Sequence, residues 1–182
     1  EPTSTRGFVY SGPIPIAHST VIRIAAFRGD ALPGASRTFT YINVQDVLSQ
    51  TGEGFPTHWG ITNGVPVHAD YAMDPDVVGQ GASREEVRRG LEALPVVSLV
   101  ADLEDLFGEK TGVYANPLAT GDAWERRASL EILFPDGRTA RQIGCGLRIQ
   151  GGWNRRPEES PKHAFRVVFR KRYGESDLKM NL

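Results

Sequence analysis

Two glycines and a lysine flank one polar segment in the last quarter of the chain, and together they could hold an anion. Gly151 and Gly152 follow an alternating apolar run, and Lys162 stands just before the next such run. Glycine lets a backbone approach a ligand closely, so that consecutive amides can bind phosphate oxygens, and a lysine adds a mobile positive charge. The residues alone leave two interpretations open, a phosphate-binding loop or an ordinary hairpin with a polar loop.

The runs on either side of this segment predict strands, and residues 96–182 are expected to form one antiparallel sheet. Apolar residues occupy every second position in two of the runs, which is typical of a strand with one buried face. These residues are Ile143, Cys145, Leu147 and Ile149 in the first run, and Phe165, Val167 and Phe169 in the second. A third run, 128–133, precedes the turn residues Pro135-Asp136-Gly137, which predict a hairpin.

The first half of the chain has weaker patterns. Strands are expected at about 20–27 and 37–42, and an edge strand near 14–16, because Pro15 lacks an amide donor. Residues 43–82 are rich in turn residues and are expected to be mostly loop. Ser83 and Glu86 have the spacing of a capping box and predict a short amphipathic helix over 84–93.

Several polar residues are of types that can bind metal ions, but structural roles are favoured for them. Asp70, Asp74 and Asp76 lie near His68, yet their spacing matches no calcium loop, so turn and cap roles are favoured over a metal site. The lone Cys145 excludes an internal disulfide and a multi-cysteine zinc site, and its apolar neighbours predict a buried thiol.

Charge is distributed unevenly. Residues 138–182 carry eleven basic and four acidic side chains, a net charge of +7, whereas residues 1–137 carry ten and eighteen, a net charge of −8. A basic end could bind an anionic partner or could pair with the acidic part of the same chain, and both interpretations remain open. Aromatic residues do not interleave with the basic ones, so no nucleic-acid partner is expected. No run of eighteen apolar residues exists, so no membrane partner is expected either.

The segments GFVYSGPIPIAHSTVIRIAAF and SRTFTYI, at 7–27 and 36–42, resemble the C-terminal-type module of chitobiase and β-hexosaminidase. That resemblance implies a small immunoglobulin-like β-sandwich of the kind found in secreted bacterial proteins. Only part of the module falls within residues 1–42. The chain opens without Met and closes on DLKMNL, which favours a piece of a longer protein, and no signal peptide is seen.

A second resemblance covers roughly residues 94–182. The segments LFGEKTGVYANP, GDAWERRASLE, GCGLRIQGGWNRR and SPKHAFRVVFRKRYG are similar to the start of the CotH kinase family domain, named after a spore-coat protein. This resemblance implies an atypical protein kinase that uses ATP and Mg to phosphorylate serine or threonine on secreted proteins. Lys162 matches the family's nucleotide lysine. The cofactor-binding residues implied around it are Arg148, Gly151, Gly152 and Arg155.

The resemblance also bears on other residues. The family's catalytic and metal-binding aspartates lie downstream of this chain, so no catalytic residue or metal ligand is assigned here, and the chain is expected to be inactive alone. Residues 124–127 are interpreted as a packing and salt-bridge corner. Trp153 could stack on a base or sugar, although packing over the hairpin is favoured, and His163 is expected at the surface or between the lobes.

The expected fold class is α+β and β-rich, a partial immunoglobulin-like sandwich followed by the antiparallel-sheet N-lobe of an atypical kinase-like fold. The expected domains are residues 1–42, a loop-rich connector with a short helix at 43–93, and the kinase-like part at 94–182. The favoured function is ATP phosphate binding for Ser/Thr phosphorylation of a protein substrate. The alternative is a non-catalytic adhesion or carbohydrate-associated scaffold with a cell-surface glycan as partner. The expected location is extracellular or the cell envelope.

Overall fold

A computed structural model describes residues 2–29, 34, 36–79, 82–138, 142–174 and 176. These residues form a β-rich α+β structure with antiparallel sheets and few helices, as the composition predicts. Two compact units are present, each assembled from separate parts of the chain. Unit 1 draws on Glu1–Ser49, Met73–Val100 and Glu131–Gln142, and unit 2 draws on Gln50–Ala72, Ala101–Leu130 and Ile143–Leu182. The domain boundaries expected at 42 and 93 remain predictions.

A two-stranded antiparallel sheet lies in unit 1. Strands β1 (Thr20–Ile24) and β2 (Arg37–Tyr41) pair with Ile22 opposite Phe39. The edge strand predicted near residues 14–16 is wrong, since residues 8–17 contain no strand. Pro13 and Pro15 each remove an amide donor, and most residues of this segment are exposed.

Unit 1 also contains three helices. They are α1 (Val44–Leu48), α2 (Pro75–Val78) and α3 (Ala82–Ala93). Helix α3 confirms the predicted amphipathic helix. It begins before Ser83, so Ser83 lies in its first turn and the predicted cap position is wrong. Asp74 accepts a hydrogen bond of 2.8 Å from the Asp76 amide and caps α2, which confirms the cap role predicted for Asp74.

The antiparallel sheet predicted for residues 96–182 is confirmed for three of its strands, which pair antiparallel. Strands β5 (Val96–Ala101), β6 (Arg126–Leu133), β7 (Ile143–Gln150) and β8 (Ala164–Val168) follow one another in that order across one four-stranded sheet. Strand β7 is antiparallel to β6 and to β8. The predicted inner face of β7 is confirmed, because its four apolar residues are at most 4% exposed. Among them the Cys145 thiol is buried, and burial raises its pKa to about 11.

A second hairpin lies inside the region expected to be loop. Strands β3 (His58–Thr62) and β4 (Val65–His68) pair antiparallel around Asn63-Gly64. Both turn residues have positive φ, 51° for Asn63 and 78° for Gly64. An Asn-Gly pair between two short runs is the strongest local signal for such a hairpin, and that signal was present in the sequence.

The β3–β4 hairpin contributes to an aromatic core in unit 2. Trp59, Ala69, Val113, Tyr114 and Ile149 form this core, and helix α4 (Leu103–Phe107) packs Leu106 and Phe107 against it. The Trp59 indole donates a hydrogen bond of 2.9 Å to the Tyr71 hydroxyl. The core therefore holds the segment just after β4, where Asp70 lies between Ala69 and Tyr71. None of the helices in the described residues combines the length and apolar character needed to cross a membrane.

Candidate functional site

The β7–β8 loop, residues 151–163, carries most of the residues predicted to bind phosphate. Strands β7 and β8 pair with Gln150 opposite Ala164. The chain therefore leaves β7 at Gly151 and returns to β8 through Lys162 at the same edge of the sheet. The structure brings the predicted glycine pair and the predicted lysine to the two ends of one hairpin loop.

The two glycines differ in their surroundings. Gly151 has φ of 122°, and a Cβ placed on it would lie 2.4 Å from the Asn154 side-chain Oδ1, so this position requires glycine. No described atom lies within 4 Å of a Cβ placed on Gly152. The backbone at Gly152 is therefore open to a ligand, while Gly151 shapes the turn.

Lys162 has a partner that the sequence did not reveal. Its Nζ lies 2.8 Å from Oδ2 of Asp70, and the two side chains are 58% and 54% exposed. The other carboxylate oxygen of Asp70 accepts a hydrogen bond of 3.2 Å from the Ala72 amide. The hydrogen bond from Lys162 is the main cause that lowers the pKa of Asp70. The ammonium group is thus oriented by one carboxylate and still accessible to solvent.

Arg148 lies in a different environment, which we call the Glu125 cluster. The members of this cluster are Asp122, Glu125, Arg148, Arg170, Arg172 and Tyr173. The Glu125 side chain has no exposed surface, and Arg148 Nε donates to its Oε2 at 2.7 Å. The Tyr173 hydroxyl donates to Oε1 at 2.8 Å. This arrangement confirms the salt-bridge corner predicted at residues 124–127.

The Glu125 carboxylate accepts hydrogen bonds from several donors, which keep it ionised. Burial by itself would raise the pKa of Glu125, but hydrogen bonds from Arg172, Tyr173 and Arg148 outweigh it and lower the pKa to about 2. The missing side chain of Gly146 makes room for this carboxylate, since a Cβ there would lie 2.6 Å from Glu125 Cγ. The guanidinium of Arg148 is consequently committed to protein partners.

Arg155 is also committed to the protein. One terminal nitrogen donates to the backbone oxygens of Pro117 at 3.2 Å and Ala119 at 3.0 Å, and the other donates to the backbone oxygen of Ile149. The loop is thereby attached to the segment at 117–119. In this structure Arg155 and Arg148 hold the frame around the loop, and Gly152 and Lys162 present groups that a ligand can reach.

His163 and Trp153 differ from their expected settings. His163 is only 8% exposed and its ring packs on Tyr114 with the ring centroids 5.1 Å apart, so the surface setting, one of the two expected, is wrong. Trp153 is 63% exposed, so the favoured interpretation that it packs over the hairpin is corrected. The guanidinium of Arg156 instead lies 4.0 Å from the centroid of the Trp153 ring.

The described residues include no group of three or more His, Cys, Asp or Glu side chains able to hold a metal ion. No family model matches the chain, and neither a curated protein nor a solved structure matches it significantly.

Proposed function

We propose that the chain binds the phosphate groups of ATP through the β7–β8 loop, as the nucleotide-binding part of a CotH-like atypical protein kinase. The observation that carries the proposal is the shared position of Gly151-Gly152 and Lys162 at the two ends of one loop, next to the Gln150–Ala164 pair. Backbone amides at the glycines would contact phosphate oxygens, and the Lys162 ammonium would neutralise their charge.

The ion pair with Asp70 orients the Lys162 side chain. Free lysine side chains sample many rotamers, and fixing one of them costs conformational entropy when a ligand binds. The ion pair of 2.8 Å with Asp70 reduces that cost before binding. An acidic partner that orients a lysine toward phosphate is also the arrangement used in protein kinases.

Arg148 and Arg155 have a supporting role in this proposal. The resemblance implies that both shape the phosphate site, and their contacts suggest how. Arg148 ties β7 to Glu125, and Arg155 ties the loop to the backbone at 117 and 119. Both hold the loop frame, so that Gly152 and Lys162 keep their spacing.

The remaining parts of the proposal rest on the resemblance. They are the partial immunoglobulin-like sandwich at 1–42, the kinase-like N-lobe at 94–182, a Ser/Thr protein substrate, and an extracellular or cell-envelope location. ATP would bring Mg with it, but the described residues do not fit a metal site and no metal ligand is assigned. The role proposed for this chain is to bind phosphate.

A second candidate function is a non-catalytic scaffold that binds a cell-surface glycan. Exposed aromatic side chains favour it, namely Phe8, Tyr10 and Trp153 at 105%, 73% and 63% exposure. Aromatic faces can pack on the apolar face of a sugar ring. On this view the pair between Lys162 and Asp70 is an ordinary surface ion pair that contributes little to stability.

Isothermal titration calorimetry with Mg-ATP tests the proposal on the 182-residue chain. We expect Lys162→Ala to weaken binding at least about tenfold, since it removes a charge-assisted contact to phosphate. Lys110→Ala is the matched control, because Lys110 is exposed and lies outside the loop, and it should bind as the wild type does.

Two outcomes would overturn the proposal: no detectable heat with the wild-type chain, or equal weakening in the two lysine variants. A parallel titration with a chito-oligosaccharide addresses the scaffold. Binding of that sugar that is lost in Trp153→Ala but kept in Lys162→Ala would support the second candidate.

A further inference from the structure

Helices α1 and α3 of unit 1 pack against each other, and residues of both line a cavity of about 190 Å³. The lining residues are Gln45 and Leu48 from α1 and Arg84, Glu85 and Arg88 from α3. Leu48 is only 4% exposed and forms an apolar wall, whereas the other four side chains are polar or charged. One water occupies about 30 Å³ in the liquid, so the cavity holds a molecule of only a few heavy atoms. The proposed phosphate site uses none of these residues.

Two of the charged lining residues are committed to partners on their own helix. Arg88 donates to both carboxylate oxygens of Glu85, from Nε at 2.7 Å and from Nη2 at 2.6 Å, and its Nη1 donates to Glu92 at 2.5 Å. Arg89 adds a hydrogen bond of 2.9 Å to Glu85. The hydrogen bonds from Arg88 and then Arg89 lower the pKa of Glu85 to about 2. Glu85 is therefore an ionised carboxylate in the wall of the cavity.

The remaining polar side chains, those of Arg84 and Gln45, keep their donors available. Arg84 is partly buried, and its guanidinium has no hydrogen bond or ion pair within the part of the chain that the structure describes. Gln45 uses its backbone groups, since its amide donates to the Asn43 side chain at 3.0 Å and its carbonyl accepts from Ser49 Oγ at 2.8 Å. Its side-chain amide has no partner among the same residues. A guanidinium and a primary amide with unused donors thus line one small cavity.

We infer that this cavity binds the carboxylate of a small monoanionic molecule. The planar fork of Arg84 matches a carboxylate through two parallel N–H groups, and the amide of Gln45 can donate a further hydrogen bond. Leu48 would contact the short apolar part of the same molecule. A dianion such as phosphate is disfavoured, because its second charge would lie beside the ionised Glu85.

The site is independent of the proposed function. Its residues belong to unit 1, whereas Gly152 and Lys162 belong to unit 2. Lys162→Ala should therefore bind the carboxylate as the wild type does. A failure of Mg-ATP to bind would count against the proposed function alone.

Titration of the 182-residue chain with sodium butyrate at constant ionic strength, followed in ¹H–¹⁵N spectra, tests the inference. We expect saturable shifts of the backbone amides at 44–48 and 84–88, with a dissociation constant on the order of 1 mM for so small a ligand. Arg84→Gln should weaken binding at least about tenfold, because it removes a charge-assisted contact. Arg28→Gln is the matched control at an exposed arginine of unit 1 and should bind as the wild type does.

Two further arms separate the carboxylate from its alternatives. Butyramide has the same size without the charge and should cause no saturable shift at these amides. Arg84→Lys keeps the charge and loses the fork, so it should bind butyrate more weakly than the wild type, and it decides the question if Arg84→Gln does not fold. Absence of saturable shifts at 44–48 and 84–88 in the wild type, equal binding of butyramide, or wild-type affinity in the Arg84 variants would overturn the inference.

Discussion

Two groups of charged side chains in unit 2 have opposite characters. In the Glu125 cluster, three arginines and a tyrosine converge on one carboxylate that has no exposed surface. The Lys162–Asp70 pair has one cation and one anion, both more than half exposed. The first group is saturated by its own members, while the second retains donors that point to solvent.

This difference shows that a segment with many charged residues is not by that fact alone a binding site. The C-terminal part of the sequence is rich in arginine, yet three of these arginines pair with Glu125 and a fourth, Arg155, donates hydrogen bonds to backbone oxygens. A ligand can use only the charge that the fold leaves available. In the proposed site that charge belongs to a single lysine beside two glycines.

Breaking the Glu125 cluster should have the largest effect. Glu125→Gln removes the charge that three guanidinium groups share, and removing one partner of a buried ion pair typically costs about 3–5 kcal/mol. Chemical denaturation followed by circular dichroism measures the free energy of unfolding. Glu158→Gln is the matched control at an exposed glutamate and should change it by less than about 0.5 kcal/mol. Equal stability of the two variants would remove the structural role assigned to the cluster.

Acid should weaken the same cluster next. The pKa of Glu125 is lowered from 4.5 to about 2. A carboxyl group with a lowered pKa stabilises the fold above its unfolded pKa, and that contribution is lost as the pH falls from about 4.5 to about 2. The loss attributable to this residue is on the order of 3 kcal/mol. Unfolding free energies measured across this range should fall less steeply in Glu125→Gln, and identical pH slopes would contradict the account.

A third test fills the space that Gly146 leaves beside Glu125 and uses Gly90, in helix α3, as the comparison. Gly146→Ala would place a Cβ 2.6 Å from Glu125 Cγ, and this overpacking should cost about 1–3 kcal/mol. Gly90 lies in helix α3, and a Cβ added there would meet nothing within 4 Å apart from its chain neighbours and the backbone of its own helix, so Gly90→Ala should stabilise the protein by about 0.5–1 kcal/mol. Thermal unfolding of both variants compares the signs, and destabilisation by both would show that Gly146 is not special.

The smallest effect on stability is expected at the exposed pair. Asp70→Asn and Lys162→Ala should leave the unfolding midpoint within experimental error of the wild type, because solvent and salt screen exposed ion pairs. The same two variants should still weaken Mg-ATP binding, with Lys162→Ala the weaker binder. A large loss of stability in either variant would show that the Lys162–Asp70 pair stabilises the fold, as the Glu125 cluster does, and would contradict the distinction drawn between them.

Local patterns predicted much of the fold. The alternation in β7, the turn at residues 135–137 and the amphipathic helix α3 were all visible, because each depends on neighbours a few positions apart. The salt-bridge corner was also anticipated at 124–127. Strand alternation alone does not predict that Ser129 and Glu131 are buried as well as Ala128 and Leu130.

Contacts between distant parts of the chain could not be predicted in this way. Asp70 pairs with Lys162 because the β3–β4 hairpin and the aromatic core carry it there, and nothing in the residues around Lys162 indicates such a partner. The burial of His163 could not be predicted for the same reason. Its burial depends on Tyr114, which only the folded chain brings against it.

Backbone amide shifts of Gly151 and Gly152 give the most direct test of the phosphate site. In ¹H–¹⁵N spectra titrated with Mg-ATP, both resonances should move in the wild-type chain and should need at least about tenfold more Mg-ATP to move in Lys162→Ala, while amides beside Arg170 and Arg172 remain unchanged. Shifts confined to the arginine-rich segment, or none at the two glycines, would contradict the account.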